Sequence, residues 1–363
     1  MIAEKINNSH AGVRVLVAPL DWGLGHATRC IPIIHTLLQH NVDVVLAASG
    51  VTKILLQKEF PQLAIFNIPS YKIKYSAKKN FFLWSIFRQL PHILRTIREE
   101  HLWLKDFVER ENINGVIADN RPGLYCKGIS SVYITHQLQI QTHSQLLGFV
   151  RRLHYRFINK FDYCWVPDVA GENNMAGHLS HPVHLPIIPV QYIGLLSRFQ
   201  KKKLERKYDL LLLLSGPEPQ RTMLENLLLA SIDKDSNFIL VRGLPNGRVP
   251  TSLPAEIYFD HLESNELSEL IQQCEMVIAR AGYSTIMDLL TLQQKALLIP
   301  TPGQTEQKYL GQYLSGRKIF GCIEQSQIAG ANLSRHLSMV PEVPAIQFPS
   351  HEKVILDWLN DLR

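Results

Sequence analysis

The sequence predicts an α/β protein built from two Rossmann-like domains, and three observations predict it. Short apolar runs recur along the chain, each followed by a turn and an amphipathic stretch of helical length. That is the pattern of a buried parallel sheet. The pattern starts twice, at residue 13 and again at residue 209, with a proline-rich and then a lysine-rich stretch between. The chain has 363 residues, 46% of them hydrophobic and 19% charged, which is enough for two well-buried domains. The expected divisions are 1–190, 191–345 and a closing helical segment, 346–363.

The first strand is Val13–Pro19 (VRVLVAP). A Gly-containing turn and a helix follow in DWGLGHATRCIPIIHTLLQH, and Val42–Ala48 is the second strand. This is an opening βαβ unit. Gly23-Leu24-Gly25 matches half of a dinucleotide fingerprint, but a third Gly and the acidic residue after strand two are missing, so a dinucleotide site is rejected. His26 sits at the turn, and imidazole titrates near neutrality, which suits a general base. Its bland alternative is a helix cap or a substrate-orienting group. Arg29, in the first helical turn, suits an anionic group. Residues 71–110 break the α/β rhythm with bulky apolar residues among Lys78, Lys79, Arg88, Arg95 and Arg98. A basic amphipathic helix of this kind lies in a membrane interface or packs on the sheet with its charges solvated. FVRRLHYRFINKF (149–161) is a second such stretch. Two further strands end in Asp119 and in His136-Gln137, and ligands of parallel sheets bind past the carboxyl ends of strands. Asp119 and His136 are therefore acceptor-side candidates, or else ordinary strand-end turn residues. Asp119 either holds His26 in its working tautomer or is itself the base.

After a short strand at Asp162–Val166 the chain turns proline-rich (178–198) and then highly charged (KKKLERK, 201–207), which reads as a linker. Asp209–Leu214 opens the second domain and leads into Ser215-Gly216 and Arg221 at a helix start. Phe238–Arg242 and Ile257–Asp260 are the next strands. Asp233-Lys234-Asp235 follows a helix and reads as a turn, so no metal site is expected. The densest chemistry lies in EMVIARAGYSTIMDLLTLQQKALLIPTPGQTEQKYL (275–310): two short strands, each followed by a polar loop and a helix start. Gly282 lets backbone approach a ligand, and Ser284 or Thr285 is expected to cap the helix and aim its N–H groups at an anion. Asp288 falls one turn later, within reach of a ribose diol.

The five cysteines are scattered without a Cys-x-x-Cys pair, which fits a reducing compartment. The polar N-terminus is not a signal peptide, and no apolar run reaches the ~20 residues that span a bilayer. A cytoplasmic location is expected. The net charge of +6 favours anionic partners. Nucleic acid is excluded by the lack of a zinc finger, an RNP-like motif or a long basic block.

RAGYSTIMDL followed by PTPGQTEQKYL resembles the donor-binding domain of GT-B glycosyltransferases, in the family 28, MurG-type group that uses UDP-sugars. The strand–Gly–x–Gly–His–helix opening, with Gly23, Gly25 and His26, is similar to the first domain of GT-B enzymes. The resemblance implies two domains facing each other across a cleft and a C-terminal helix that crosses back onto the first. It implies donor contacts from Ser215, Gly216, Arg221, Arg280, Gly282, Tyr283, Ser284, Thr285, Asp288, Gln304, Glu306 and Gln307. Lys308 stands where the group carries a second glutamine, and Glu306 departs from its pattern. Gly25, Arg29 and His136 fall on the acceptor side, with His26 and then Asp119 as base. The implied reaction is transfer of a sugar, with inversion, from a UDP-sugar co-substrate to an acceptor hydroxyl, with no metal or other cofactor. The acceptor is expected to be lipid-linked or an envelope glycan, met at an anionic membrane through 78–98 and 149–161 on its inner face. A UDP-sugar 2-epimerase and a non-catalytic nucleotide-sugar sensor share the fold and remain alternatives.

Overall fold

A computed structural model describes residues 10–71, 82–141, 144–233, 235–244, 253–254, 257–328 and 330–362, with the side chains of 82–88, 144–146 and 330–331 apart. The first sheet contains β1 (Arg14–Pro19), β2 (Asp43–Ala48), β3 (Ile65–Asn67), β4 (Gly115–Asp119), β5 (Ser130–Ile134), β6 (Tyr163–Val166) and β7 (Val190–Tyr192). Their spatial order is β3-β2-β1-β4-β5-β6-β7, all parallel. The helices between them are α1 (Leu24–Gln39), α2 (Gly50–Glu59), α3 (Phe82–Arg110) and α4 (Ser144–Ile158). The expected division at 190 falls inside β7, so the first domain runs slightly further. The proline-rich segment is not all linker, because its end adds an edge strand.

The second sheet contains β8 (Tyr208–Leu213), β9 (Phe238–Val241), β10 (Tyr258–Phe259), β11 (Cys274–Ala279), β12 (Ala296–Leu298) and β13 (Gly321–Cys322), in the order β10-β9-β8-β11-β12-β13. It too is parallel throughout. Its helices are α5 (Gln220–Ser231), α6 (Ser264–Gln272), α7 (Tyr283–Leu292), α8 (Thr305–Gly316) and α9 (Gly330–Ser338), and α10 (Glu352–Asn360) closes the chain. Both sheets therefore reverse direction of growth at one place, between β1 and β4 and between β8 and β11. In open α/β sheets that reversal leaves a crevice at the carboxyl edge where ligands bind.

The central strands are buried on both faces, which is why they read as continuous apolar runs rather than alternating ones. Leu16, Val45, Val116 and Tyr133 pack with Leu104 and Phe107 of α3 on the outer face of the first sheet. Leu210, Leu212 and Ile278 pack with Leu224 and Leu228 of α5 on the outer face of the second. The inner faces share one continuous core. It runs from Val15, Val17 and Ile33 through Leu195 and Leu196 to Val277, Ile286 and Leu290. α10 belongs to this core and lies on the first domain. Trp358 meets Trp165 edge-on at 5.6 Å, and its Nε1 donates to Ser130 Oγ at 2.8 Å. Gly115 is required there, since a Cβ would lie 2.7 Å from the Trp358 ring.

Candidate functional site

Each domain presents its candidate residues at the sheet reversal. In the first, β1 and β4 are in register from Val15 opposite Gly115 to Pro19 opposite Asp119. The Asp119 carboxylate therefore emerges beside the turn that carries Gly23, Gly25 and His26. Gly23 adopts φ 117°, a left-handed conformation that favours glycine. Gly25 is small for a different reason: a Cβ there would lie 2.7 Å from Ser284 Oγ of the other domain.

Asp119 is completely buried, and Arg29 grips it with both ends of the guanidinium, Nε to Oδ2 at 2.7 Å and Nη2 to Oδ1. Burial alone would raise the Asp119 pKa, but the charge of Arg29 and the contact with His26 more than offset it and hold it at about 2. A carboxylate so placed is ionised and has no free approach for an acceptor. His26 Nδ1 lies 3.3 Å from both Asp119 oxygens, and the ring is still partly open to solvent. Burial first, and then the Arg29 charge, push the His26 pKa down, so the imidazole is neutral at physiological pH.

His136 is buried at the end of β5 and bridges the domains. Its Nδ1 meets Arg29 Nη1 at 3.1 Å, and its Nε2 meets Glu306 Oε1 at 2.7 Å. Gln137 also donates to Glu306. Burial would raise the Glu306 pKa, but His136 and then Arg29 bring it below its usual value.

In the second domain the reversal falls between Leu213 of β8 and Ala279 of β11, which are paired. Ser215 and Gly216 follow β8, and Gly216 adopts φ 105°. Arg280 follows β11. It is almost fully buried and donates to Gln325 Oε1 at 2.8 Å, to Gln220 O at 2.8 Å and to the Ile299 and Pro300 carbonyls. Its Nε has no partner, and among the described residues no carboxylate pairs with it. Burial pulls its pKa down to about 10.

Helix α7 begins at Tyr283, not at Ser284-Thr285, and its N-cap is Gly282 with φ −77° and ψ 137° and no side-chain cap. Ser284 and Thr285 lie within the first turn because Gly282, three residues past the end of β11, takes the extended N-cap conformation itself. The first N–H groups of the helix are thus left without a side-chain acceptor, as an anion site requires. A Cβ on Gly282 would meet nothing nearer than Thr285 Oγ1 at 3.9 Å, so its bareness is not needed for packing within the chain.

Asp288 is buried on the same helix and accepts from Ser197 Oγ at 2.6 Å. Burial raises its pKa to about 6, against the pull of Arg198 and Ser197. Gln304 is the N-cap of α8, while Gln307 Oε1 accepts from Thr301 N at 2.8 Å and braces its own loop. Arg221 departs from the sequence expectation. It is turned inward, held by Glu218 at 2.6 Å and Glu225 at 2.5 Å, so its charge is already matched.

Sequence reasoning missed Ser197, Arg198, Gln220 and Gln325, which surround Asp288 and Arg280. None carries a local motif. It also missed that Tyr283, through its hydroxyl on Pro167 O at 2.8 Å, spans both domains. The stretch 78–98 lies partly outside the described residues. In 149–161, Phe149, Arg152 and Arg156 are exposed on α4, and Lys160 is exposed just after it. No helix among the described residues is long and apolar enough to cross a membrane.

Residues 257–353 match the family model of the glycosyltransferase family 28 C-terminal domain. The chain is 26% identical over 167 residues to a UDP-N-acetylglucosamine--N-acetylmuramyl-(pentapeptide) pyrophosphoryl-undecaprenol N-acetylglucosamine transferase of Sulfurihydrogenibium sp. (strain YO3AOP1). That alignment covers 42% of this chain and 47% of the relative, so the chain matches about half of the curated protein's length. Among solved structures, the spinosyn rhamnosyltransferase SpnG complexed with thymidine diphosphate superposes with a TM-score of 0.60 at 15% identity, over 95% of this chain and 100% of that one. MurG of Acinetobacter baumannii superposes with a TM-score of 0.50 at 12% identity, over 96% of this chain and 99% of that one. At such identities the likeness is one of fold. The fold is therefore GT-B, its C-terminal domain carries the match to the glycosyltransferase family 28 model, and the sequence is similar to a MurG-type relative over about half of that relative's length.

Proposed function

We propose that this chain transfers a sugar from a UDP-linked donor to an acceptor hydroxyl in one inverting displacement. The observation that carries the reading is Arg280. A buried guanidinium with an unpartnered Nε and no paired carboxylate among the described residues is a site missing an anion. It stands beside the uncapped start of α7 and the Ser215-Gly216 turn, where a diphosphate would receive backbone N–H groups as well as charge. Both the helix N-terminus and Arg280 act on charge that grows on the departing UDP, so this arrangement supplies the leaving-group stabilisation without recourse to a metal. In this reading Asp288 takes the ribose diol, and Gln304 and Glu306 take the donor sugar.

His26 is the proposed base. Asp119 is fully engaged by Arg29 and orients the imidazole instead. The acceptor oxygen bonds to the anomeric carbon as the bond to UDP breaks, and its proton passes to His26. The proposed acceptor is lipid-linked. Its support is a surface where Val183 and Ile187 are each 91% exposed. Tyr155 donates to His184 O and Asn159 accepts from Ile187 N, which ties this loop to α4 with its exposed Phe149, Arg152 and Arg156. Apolar loop tips beside arginines suit the inner face of an anionic membrane. Co-sedimentation with phosphatidylglycerol vesicles, lost in Val183→Asp/Ile187→Asp, tests that part.

The donor reading is tested by thermal melts with UDP, UDP-N-acetylglucosamine, TDP-, GDP- and ADP-sugars. A ligand that binds only the native state raises the melting temperature by mass action. A rise with uridine nucleotides that Arg280→Gln abolishes supports it. No rise with any nucleotide at millimolar concentration overturns it.

A further inference from the structure

Five side chains form one hydrogen-bonded chain from the second domain to the first: Glu306, His136, Arg29, Asp119 and His26. Arg29 is the hub. Its Nη1 reaches His136 Nδ1 at 3.1 Å, its Nη2 reaches His26 Nδ1 at 2.8 Å, and its Nε reaches Asp119 Oδ2 at 2.7 Å. A guanidinium only donates. A ring nitrogen that receives an Arg N–H must therefore present a lone pair, and the ring proton must sit on the other nitrogen. For His136 this places the proton on Nε2, the atom that meets Glu306 at 2.7 Å, so the two contacts agree.

For His26 the same rule places the proton on Nε2. That is the nitrogen which has to be bare to take a proton from an acceptor. The alternative tautomer would donate from Nδ1 to Asp119 across 3.3 Å, and Arg29 Nη2 stands in its way. The arrangement therefore holds His26 in a tautomer that does not serve as base, although Asp119 is in place to support the one that does.

We infer that Arg29 is a positioning residue that sets the tautomer of His26, and that Glu306, acting through His136, sets Arg29. The consequence for catalysis rests on the glycosyl-transfer reading above. A donor sugar whose hydroxyls draw the Glu306 carboxylate away takes the acceptor from His136 Nε2–H. His136 then loses its Nε2 proton to water and gains one from water at Nδ1, so Arg29 Nη1–H no longer finds a lone pair there and the guanidinium withdraws onto Asp119. His26 loses a proton from Nε2 to water and gains one from water at Nδ1, which donates to Asp119. One N–H bond breaks, one forms, and net charge is unchanged. The histidine of one domain thus becomes basic when the donor loop of the other is filled.

The test is the two-bond proton–nitrogen spectrum of the full chain labelled with ¹⁵N-histidine, at pH 8, with His26 assigned by the loss of its signals in His26→Gln. The free protein is expected to show His26 protonated at Nε2. Saturating UDP-N-acetylglucosamine is expected to move the proton to Nδ1. Glu306→Ala is expected to give the Nδ1–H form with no ligand, while Glu306→Gln, which keeps an acceptor oxygen, retains the Nε2–H form. Free wild-type protein already in the Nδ1–H form overturns the inference, as does an unchanged tautomer in a folded Glu306→Ala. If the sugar nucleotide neither stabilises the protein nor moves the signal, the donor reading fails, and the free-protein spectra of wild type and the two Glu306 variants still decide the inference.

Discussion

Tyr283 lies flat against His136, with ring centroids 4.3 Å apart and planes within 10°. Tyr283 opens α7 in the second domain, and His136 follows β5 in the first. The tyrosine hydroxyl also donates to Pro167 O, so one side chain fixes the second domain to two places on the first. Removing the ring with Tyr283→Ala is expected to lower stability by about 3–5 kcal/mol, the usual range for a buried aromatic. Tyr283→Phe keeps the stack, loses one buried hydrogen bond and should cost about 1 kcal/mol. Urea denaturation of the two variants checks the ordering.

Arg280 gives a prediction about affinity. Arg280→Gln should weaken UDP binding at least tenfold, which is about 1.4 kcal/mol. Arg280→Lys should recover only part of it, because a single ammonium does not reproduce the fork held by Gln325, Gln220 and the Ile299 carbonyl. Inorganic diphosphate should stabilise the wild type and not Arg280→Gln. Calorimetric titration reads both.

Asp288 gives two pH dependences of opposite sign. Burial lifts its pKa to about 6. Above that pH the carboxylate is ionised and accepts from hydroxyl groups; below it the proton blocks one oxygen. UDP affinity should therefore fall as pH drops through about 6, and Asp288→Asn should remove that step. For stability the folded pKa is raised above the unfolded value of 3.8, so ionisation works against folding. Asp288→Asn should thus be more stable than wild type at pH 8, by about 1–3 kcal/mol, and lose that advantage below pH 4. Thermal melts across pH 4–8 decide it.

Trp358 separates fold from site. It packs on Trp165 and Gly115, far along the chain from Arg280 and Asp288. Trp358→Ala should destabilise by about 3–5 kcal/mol and leave the UDP dissociation constant of the folded protein within twofold of wild type.

Much of the fold was legible because buried parallel strands leave continuous apolar runs, and the strands expected at residues 13, 42, 209, 238 and 276 begin within a residue or two of those positions. The strand–turn–helix that carries Arg280, Gly282 and Asp288 was legible for a local reason: the three belong to one continuous segment, so their spacing in sequence is their spacing in space. The helix start was misread because Ser284-Thr285 looks like a cap, while Gly282 takes the N-cap position in an extended conformation and the helix begins at Tyr283. Arg221 was misread because Glu218 and Glu225 lie at helical spacing from it and match its charge inside the domain.

The sequence by itself determined the strand and helix order, the parallel sheets and the residues that gather at each carboxyl edge, since these follow from periodicity and from turn chemistry within a few residues. Only the tertiary structure decided what those residues do to one another. Arg29 meets Asp119 across 90 residues, and His136 meets Glu306 across 170. Whether an arginine is left without a carboxylate, as Arg280 is among the described residues, or is spent on one, as Arg29 and Arg221 are, depends on which distant chain segment the packing brings within 3 Å. Charge interactions in a buried site are set by that distance and by the loss of water around it, and neither is written in the local order of residues.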